Sequence, residues 1–392
     1  MIRDCFVLFC FILLWAGCAT VALPEDREGR SPIPVVEKRS DPVPTGSRVA
    51  LYVTAKGTEL REIEPQAQED HDAIFSMANR FFDLNRYEDA KKLYEQVAQK
   101  VPEHPMVPFC HYNLGLINMK TLNWEPAAAH FLTAYRALAK KEDKKDALVL
   151  YLESLKKAAK WETLLADANT ALNENPYQID FGDETTQEIS LRSAEAMTMQ
   201  GKLEEGRRLA EYWISEIRRG IPREEQLFIP NLSLAFYVIG KSFVYEFGTI
   251  KLDDKIETLA AKCQKIIDAQ TQFLKAINIG VIFWTNAAAF EIAKLYMDLY
   301  AEMAAQPVPQ ELSDEEKHVY ECEVWNKIAN LLKKSRKTLT KSIDAAKRIN
   351  EDNEYTAMSF AMVADIDRIY DAKESQCADI KATEKVVEGK RQ

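Results

Sequence analysis

The 392 residues predict an all-α protein, a solenoid of helical hairpins continuing into more divergent hairpins toward the C-terminus. Three features carry that prediction. From Glu69 onward, apolar residues recur three and four apart, the spacing that gathers them on one helix face. The breaks between these runs fall at Asn, Pro and Gly, which end helices. An aromatic marker also returns at a fixed interval, with Tyr87, Trp124 and Trp161 standing 37 residues apart.

The N-terminal residues lie outside this pattern. The run "CFVLFCFILLWA", residues 5–16, is wholly apolar, but twelve residues are too few for a membrane-crossing helix, which needs roughly 20. Residues 1–17 therefore read as a signal peptide. At its end "WAGC" resembles the bacterial lipobox, in which an apolar residue and two small residues precede a lipidated cysteine. The resemblance implies lipid attachment at Cys18 and, with Ala19 rather than Asp following, sorting to the outer membrane facing the periplasm. Several acyl chains on one residue would give the multiple attachments that stable anchoring requires. Trp15 departs from the motif, which usually has Leu there, and ordinary cleavage after Ala19 to a soluble exported protein stays open. Residues 18–68 read as a linker, with five prolines between 23 and 47 favouring extended backbone. Within it, "VALYVTA" (49–55) is expected to dock on the array as a short strand.

The repeats occupy residues 69–220. Segments 77–102, 113–138 and 151–176 align on their aromatic turn residues. Small residues stand where the two helices of a unit cross: Ala78 and Ala90 in the first, Gly115, Ala127 and Ala134 in the second. Tyr94 and Phe131 fill the space beside them, and Pro102 and Pro176 end the second helices. On these residues the chain resembles the tetratricopeptide repeat, although Pro126, Leu152 and Leu164 depart from that family's preferences. A degenerate fourth unit is expected at 187–220, with Ala194, Leu203 and Gly206 at the corresponding places.

Residues 221–375 keep the helical pattern without a clear period. Helices are expected at 232–247, 253–277, 283–304, 314–349 and 353–375, the fourth capped by Ser313 with Glu316 three residues on. Residues 376–392 form a polar tail.

Charge and motifs narrow the function. A net charge of −10 argues against nucleic acid as a partner, because duplex binding draws on clustered cations. Five histidines, His71, His104, His111, His130 and His318, show no metal-ligand spacing, and no phosphate loop or nucleophile motif is present. No catalytic residue, metal, cofactor or small-molecule substrate is expected. Cys322 and Cys377 lie nearly equidistant from the turn at Asn350, 28 and 27 residues away, so an antiparallel hairpin would place them together as a disulfide. The alternative is that these cysteines, with Cys110 and Cys263, are small core residues. Two basic clusters, one from Lys202 to Arg223 and one from Lys327 to Arg348, read either as solvated helix faces or as surfaces for anionic lipid or an acidic partner.

The family resemblance implies a concave surface lined by the first helix of each unit, where a peptide or helix of a partner can lie. In the first unit its candidate residues are Phe75, Asn79 and Phe82. In the second they are Tyr112, Asn113, Leu116, Met119 and Lys120, and in the third Glu153 and Lys156. Packing between repeats is the alternative role for the apolar ones. An Asn at the place of Asn79 often holds a ligand's backbone in this family. The cations with which one subclass grips a terminal carboxylate are replaced here by Phe75, Asp146 and Leu150. The resulting expectation is a lipid-anchored protein-protein interaction scaffold of the bacterial envelope, serving motility, secretion or outer-membrane assembly without covalent chemistry. The alternative is a carbohydrate-binding or lytic envelope protein using Phe236, Tyr237, Phe243 and Phe247 in the aromatic segment 234–248 as a sugar-stacking surface.

Overall fold

A computed structural model describes residues 70–222, 225–253, 255–351 and 353–378. Cys18, the linker, the 49–55 segment, Arg223 and the tail from 379 onward lie outside the described residues. Among those residues there are thirteen α-helices and no strand. They are α1 (His71–Asp83), α2 (Tyr87–Lys100), α3 (Val107–Lys120), α4 (Trp124–Ala137), α5 (Lys141–Lys157) and α6 (Trp161–Asn169). After these come α7 (Gly182–Met199), α8 (Leu203–Arg218), α9 (Pro230–Thr249), α10 (Ile256–Ile279), α11 (Ile282–Ala304), α12 (Asp314–Arg348) and α13 (Glu354–Gln376).

The repeat is written in its turns. Asn85, Leu122, Ala159 and Gly201 all take positive φ, 58°, 61°, 56° and 78°, each two residues before the marker Tyr87, Trp124, Trp161 or Leu203. In each turn the next amide reaches back five residues, as from Arg86 to the Phe81 carbonyl at 2.8 Å and from Lys202 to Met197 at 2.9 Å. This bond satisfies a carbonyl that the helix end would otherwise leave open. The fourth unit keeps the turn but arrives late, because α6 ends in a π-helical segment, Thr170–Glu174, and a loop follows it.

Hairpins α1/α2, α3/α4, α5/α6, α7/α8, α9/α10 and α11/α12 stack in chain order, and α13 packs on the last. First helices of successive hairpins also meet: α1 reaches α3 through Asn79 and Asn113, and the backbones approach closely between α5 and α7, α7 and α9, α9 and α11, and α11 and α13. Close approach depends on a missing side chain in both halves. A β-carbon on Gly115 would lie 2.7 Å from the Phe131 ring, and one on Gly240 would lie 2.5 Å from Phe273. The C-terminal half thus crosses its helices by the same device as the second repeat, without that repeat's spacing.

Two buried lysines close helix ends. Lys144 donates to the carbonyls of Tyr135 and Arg136 at 2.8 Å each, at the end of α4. Lys262 donates to Phe247 and Ile250, at 3.0 and 2.7 Å, at the end of α9. A cation is favoured there because the last carbonyls carry the negative end of the helix dipole.

The pairing of α12 with α13 is pinned at both ends. Ser313 and Glu316 form a reciprocal cap at the start of α12. At the turn, Asn286 of α11 accepts from Ser342 at 2.8 Å and donates to Thr356 at 3.3 Å. At the open end Cys322 and Cys377 are disulfide-bonded, with Cα atoms 5.7 Å apart.

The aromatic segment is interior, which corrects the sugar-binding alternative. Phe236, Tyr237 and Phe247 are 4%, 2% and 3% exposed, and Phe243 is partly buried under the Arg207 guanidinium. A stacking surface needs free ring faces, and here hydrophobic packing between α9, α10 and α11 has consumed them.

Candidate partner-binding face

The first helices of the hairpins present two different surfaces. Between hairpins 1 and 2 the surface is built mainly of amides and aromatic rings. Asn79 on α1 accepts from the Tyr94 hydroxyl at 2.6 Å and from the Asn113 amide at 3.2 Å, while Asn113 also donates to Tyr94 at 3.0 Å. Burial raises the Tyr94 phenol well above its ordinary range, so it stays protonated and keeps donating. Around this triangle, Phe75 is buried edge-on to Tyr94, and Phe82 is half-buried against Tyr87. Tyr112 is half-buried against Phe131, Leu116 and Met119 pack on the second core, and Lys120 is exposed. Beside them Phe109 stays 39% exposed.

From hairpin 3 onward the surface is ionic and closed. Glu153 and Lys156 of α5 face Arg192 and Glu195 of α7: Arg192 meets Glu153 at 2.9 Å and Glu195 at 3.6 Å, and Lys156 meets Glu195 at 3.4 Å. Trp284 of α11 covers this cluster, with its ring 5.6 Å from Lys156 and 5.8 Å from Arg192. Deeper in, Glu291 accepts from Tyr237 at 3.2 Å and Lys241 at 2.7 Å. The start of α13 completes the closure: Glu354 pairs with Lys157, and Tyr355 packs edge-on against Phe283.

These charges are costly and mutually dependent. Burial alone would raise the Glu153 carboxyl, but Arg192, Lys156 and Lys157 outweigh it and hold the group below its ordinary value. Lys156 is lowered too, which for an amine disfavours the charged form: burial, helped by Arg192 and Lys157, outweighs what Glu195 and Glu153 restore.

The two surfaces share one repeat position. Counted from the turn markers, Asn79, Leu116, Glu153 and Glu195 are equivalent, and so are Asn113, Leu150 and Arg192. The Asn79–Asn113 contact and the Glu153–Arg192 contact are therefore the same inter-repeat contact in different chemistry. Between them Leu116 and Leu150 both pack on the second core.

The expected groove residues thus divide. Those of units one and two surround a partly open amide and aromatic surface, whereas Glu153 and Lys156 are enclosed by the chain itself. Arg192, Glu195, Trp284, Glu354 and Tyr355 were not among the sequence candidates. Repeat alignment could have found the first two, which occupy groove positions in the fourth unit; no period reaches the others.

On the outer side of hairpin 2, the Nδ1 atoms of His111 and His130 stand 3.0 Å apart, so one imidazole donates to the other. Burial lowers both, and His130, with His111 and Lys91 beside it, is pushed down to about 4. Among the described residues no group of three or more His, Cys, Asp or Glu is placed to hold a metal ion. No helix among them is long and apolar enough to cross a membrane.

No family model and no curated protein matches the chain. Two solved structures are similar in part. A tetratricopeptide repeat protein from Parabacteroides merdae shares 11% identity, covers 76% of this chain and all of its own, and has a TM-score of 0.36. The C-terminal part of a TPR repeat-containing protein from Cytophaga hutchinsonii shares 12% identity, covers 77% of this chain and 98% of its own, and has a TM-score of 0.37.

Proposed function

We propose that this protein is a lipid-anchored scaffold of the bacterial cell envelope, which binds a peptide or helix of a partner protein across its first two hairpins and so positions an envelope complex. The observation that carries the binding reading is the change of chemistry along the first-helix face. Hairpins 3 to 6 spend that face on their own ion pairs, while hairpins 1 and 2 keep Asn79, Tyr112, Asn113 and Lys120 at a surface partly open to solvent. Side-chain amides there suit an extended backbone, which offers both donors and acceptors. The leader and the "WAGC" motif support the anchor at Cys18. Motility, secretion and outer-membrane assembly are the processes this layout fits.

Affinity capture from membranes, comparing wild type with the double variant Asn79→Ala/Tyr112→Ala, tests the groove. Loss of one partner set from an otherwise folded variant is expected, and an unchanged set would refute binding there. For the anchor, Cys18→Ser is expected to leave the fold intact and release the protein from the membrane fraction.

A further inference from the structure

α12 carries eight cations between Lys327 and Arg348, with Asp344 as the one carboxylate in that run. The structure sorts them. Lys334 turns inward, with its ammonium 5.6 Å from the Tyr296 ring, and Arg336 pairs with Asp367 at 2.6 Å. Lys333, Lys337 and Lys341 follow one another at four-residue spacing on the face turned away from the core; Lys333 and Lys337 are exposed, as are Asn330 and Asp344, and Lys341 is half-buried at the edge of that face. Among the described residues none of the three has a carboxylate partner. At the turn end of the same face Lys347 lies 5.0 Å from the ring of Phe360 on α13, and that ring is 46% exposed.

We propose that this outer face of α12 rests on an anionic phospholipid surface, with the lysines among the headgroups and Phe360 at their edge. Shape favours a membrane over a folded acidic partner. The helix has 35 residues, about 52 Å of rod at the standard rise, so the lysines stand in a row along one rod that a plane of headgroups can meet together. The residue type agrees: lysine ammoniums are mobile point charges suited to a diffuse negative plane, whereas specific carboxylate recognition draws on arginine's bidentate fork. An aromatic ring beside such a stripe is what the interface between headgroups and acyl chains accommodates. Because the whole chain carries −10, an anionic surface repels the rest of it, and this stripe also fixes the orientation of approach. The inference does not depend on lipidation of Cys18.

Flotation of the full chain with vesicles tests it, comparing phosphatidylglycerol/phosphatidylethanolamine with pure phosphatidylcholine. Attachment through the apolar leader contributes equally to both lipids, so the difference between them is the readout. Preference for the anionic vesicles is expected, disappearing in about 0.5 M salt. The triple variant Lys333→Glu/Lys337→Glu/Lys341→Glu is expected to bind them at least about tenfold more weakly. A triple Gln variant with an unchanged thermal melt separates this loss from misfolding. Equal flotation on both lipids, or equal flotation of wild type and the triple variants, overturns the proposal, including the case in which the stripe serves an acidic protein instead.

Discussion

At the seam between hairpins 1 and 2 one repeat position joins two amides, and at the seam between hairpins 3 and 4 the same position joins a carboxylate to a guanidinium. The geometry is shared and the consequences are not. An amide pair can exchange a neighbour for water or for a ligand's backbone at little cost. A buried ion pair cannot, since removal of either partner strands the other charge in a medium that solvates it poorly. A repeat protein can therefore keep one backbone frame and still reserve one stretch for recognition and another for internal cohesion.

The sharpest way to break this contrast is Arg192→Leu, which leaves Glu153 and Glu195 without their shared cation. A loss of about 3–5 kcal/mol in urea unfolding is expected. A loss below about 1 kcal/mol would mean that the cluster is already hydrated and the closed face is not closed. Next come the two glycine crossings, one in each region. Gly115→Ala and Gly240→Ala should each cost about 1–3 kcal/mol by overpacking against Phe131 and Phe273. Hydrogen exchange should confine the first to hairpins 1 and 2 and spread the second over α9 to α13. Third, Asn79→Ala is expected to cost only about 1 kcal/mol, the worth of a typical net hydrogen bond, although it removes two. A cost as large as that of Arg192→Leu would make the amide triangle structural and weaken its claim as a binding surface.

Acid should separate the regions more gently. His130 is held below its ordinary 6.5, at about 4, so the unfolded chain takes up its proton first. Its contribution is lost as pH falls from 6.5 toward 4, and the His111 contact goes with it when both rings are charged. Glu153 has the same sign in a lower window: its lowered value makes its contribution present above the ordinary carboxylate value of 4.5 and lost as pH falls below it. Exchange protection on α3 and α4 is expected to decline at milder acidity than on α5 and α7. His130→Gln should abolish that early phase, and an unchanged pH profile would rule the pair out as its source.

Much of this architecture is legible in the sequence. The turn markers, the crossing residues Ala78, Gly115 and Ala194, the Ser313 cap and all five C-terminal helices follow from local rules of spacing and capping. The closed face was not readable, for two reasons. Its first part, Arg192 and Glu195, keeps the register of the fourth unit despite the π-helical delay after α6, but a charge at a groove position does not say whether the chain itself or a partner covers it. Its second part joins Lys156 to Trp284 and Lys157 to Glu354, and pairing at such separations has no periodic signature in one sequence.

The Lys157–Glu354 pair, 197 residues apart in the chain, has a consequence for the order in which the molecule is made. Ideal repeat arrays can mature unit by unit behind the ribosome or the export channel, because each unit needs only its neighbour. Here the third hairpin waits, with Glu153 and Lys156 still wet, until α11 and the beginning of α13 arrive to seal it. Hairpins 1 and 2 owe nothing to those late segments and can fold at once. The proposed recognition surface would then exist before the body that carries it is finished, and a partner present at the site of synthesis could meet it first.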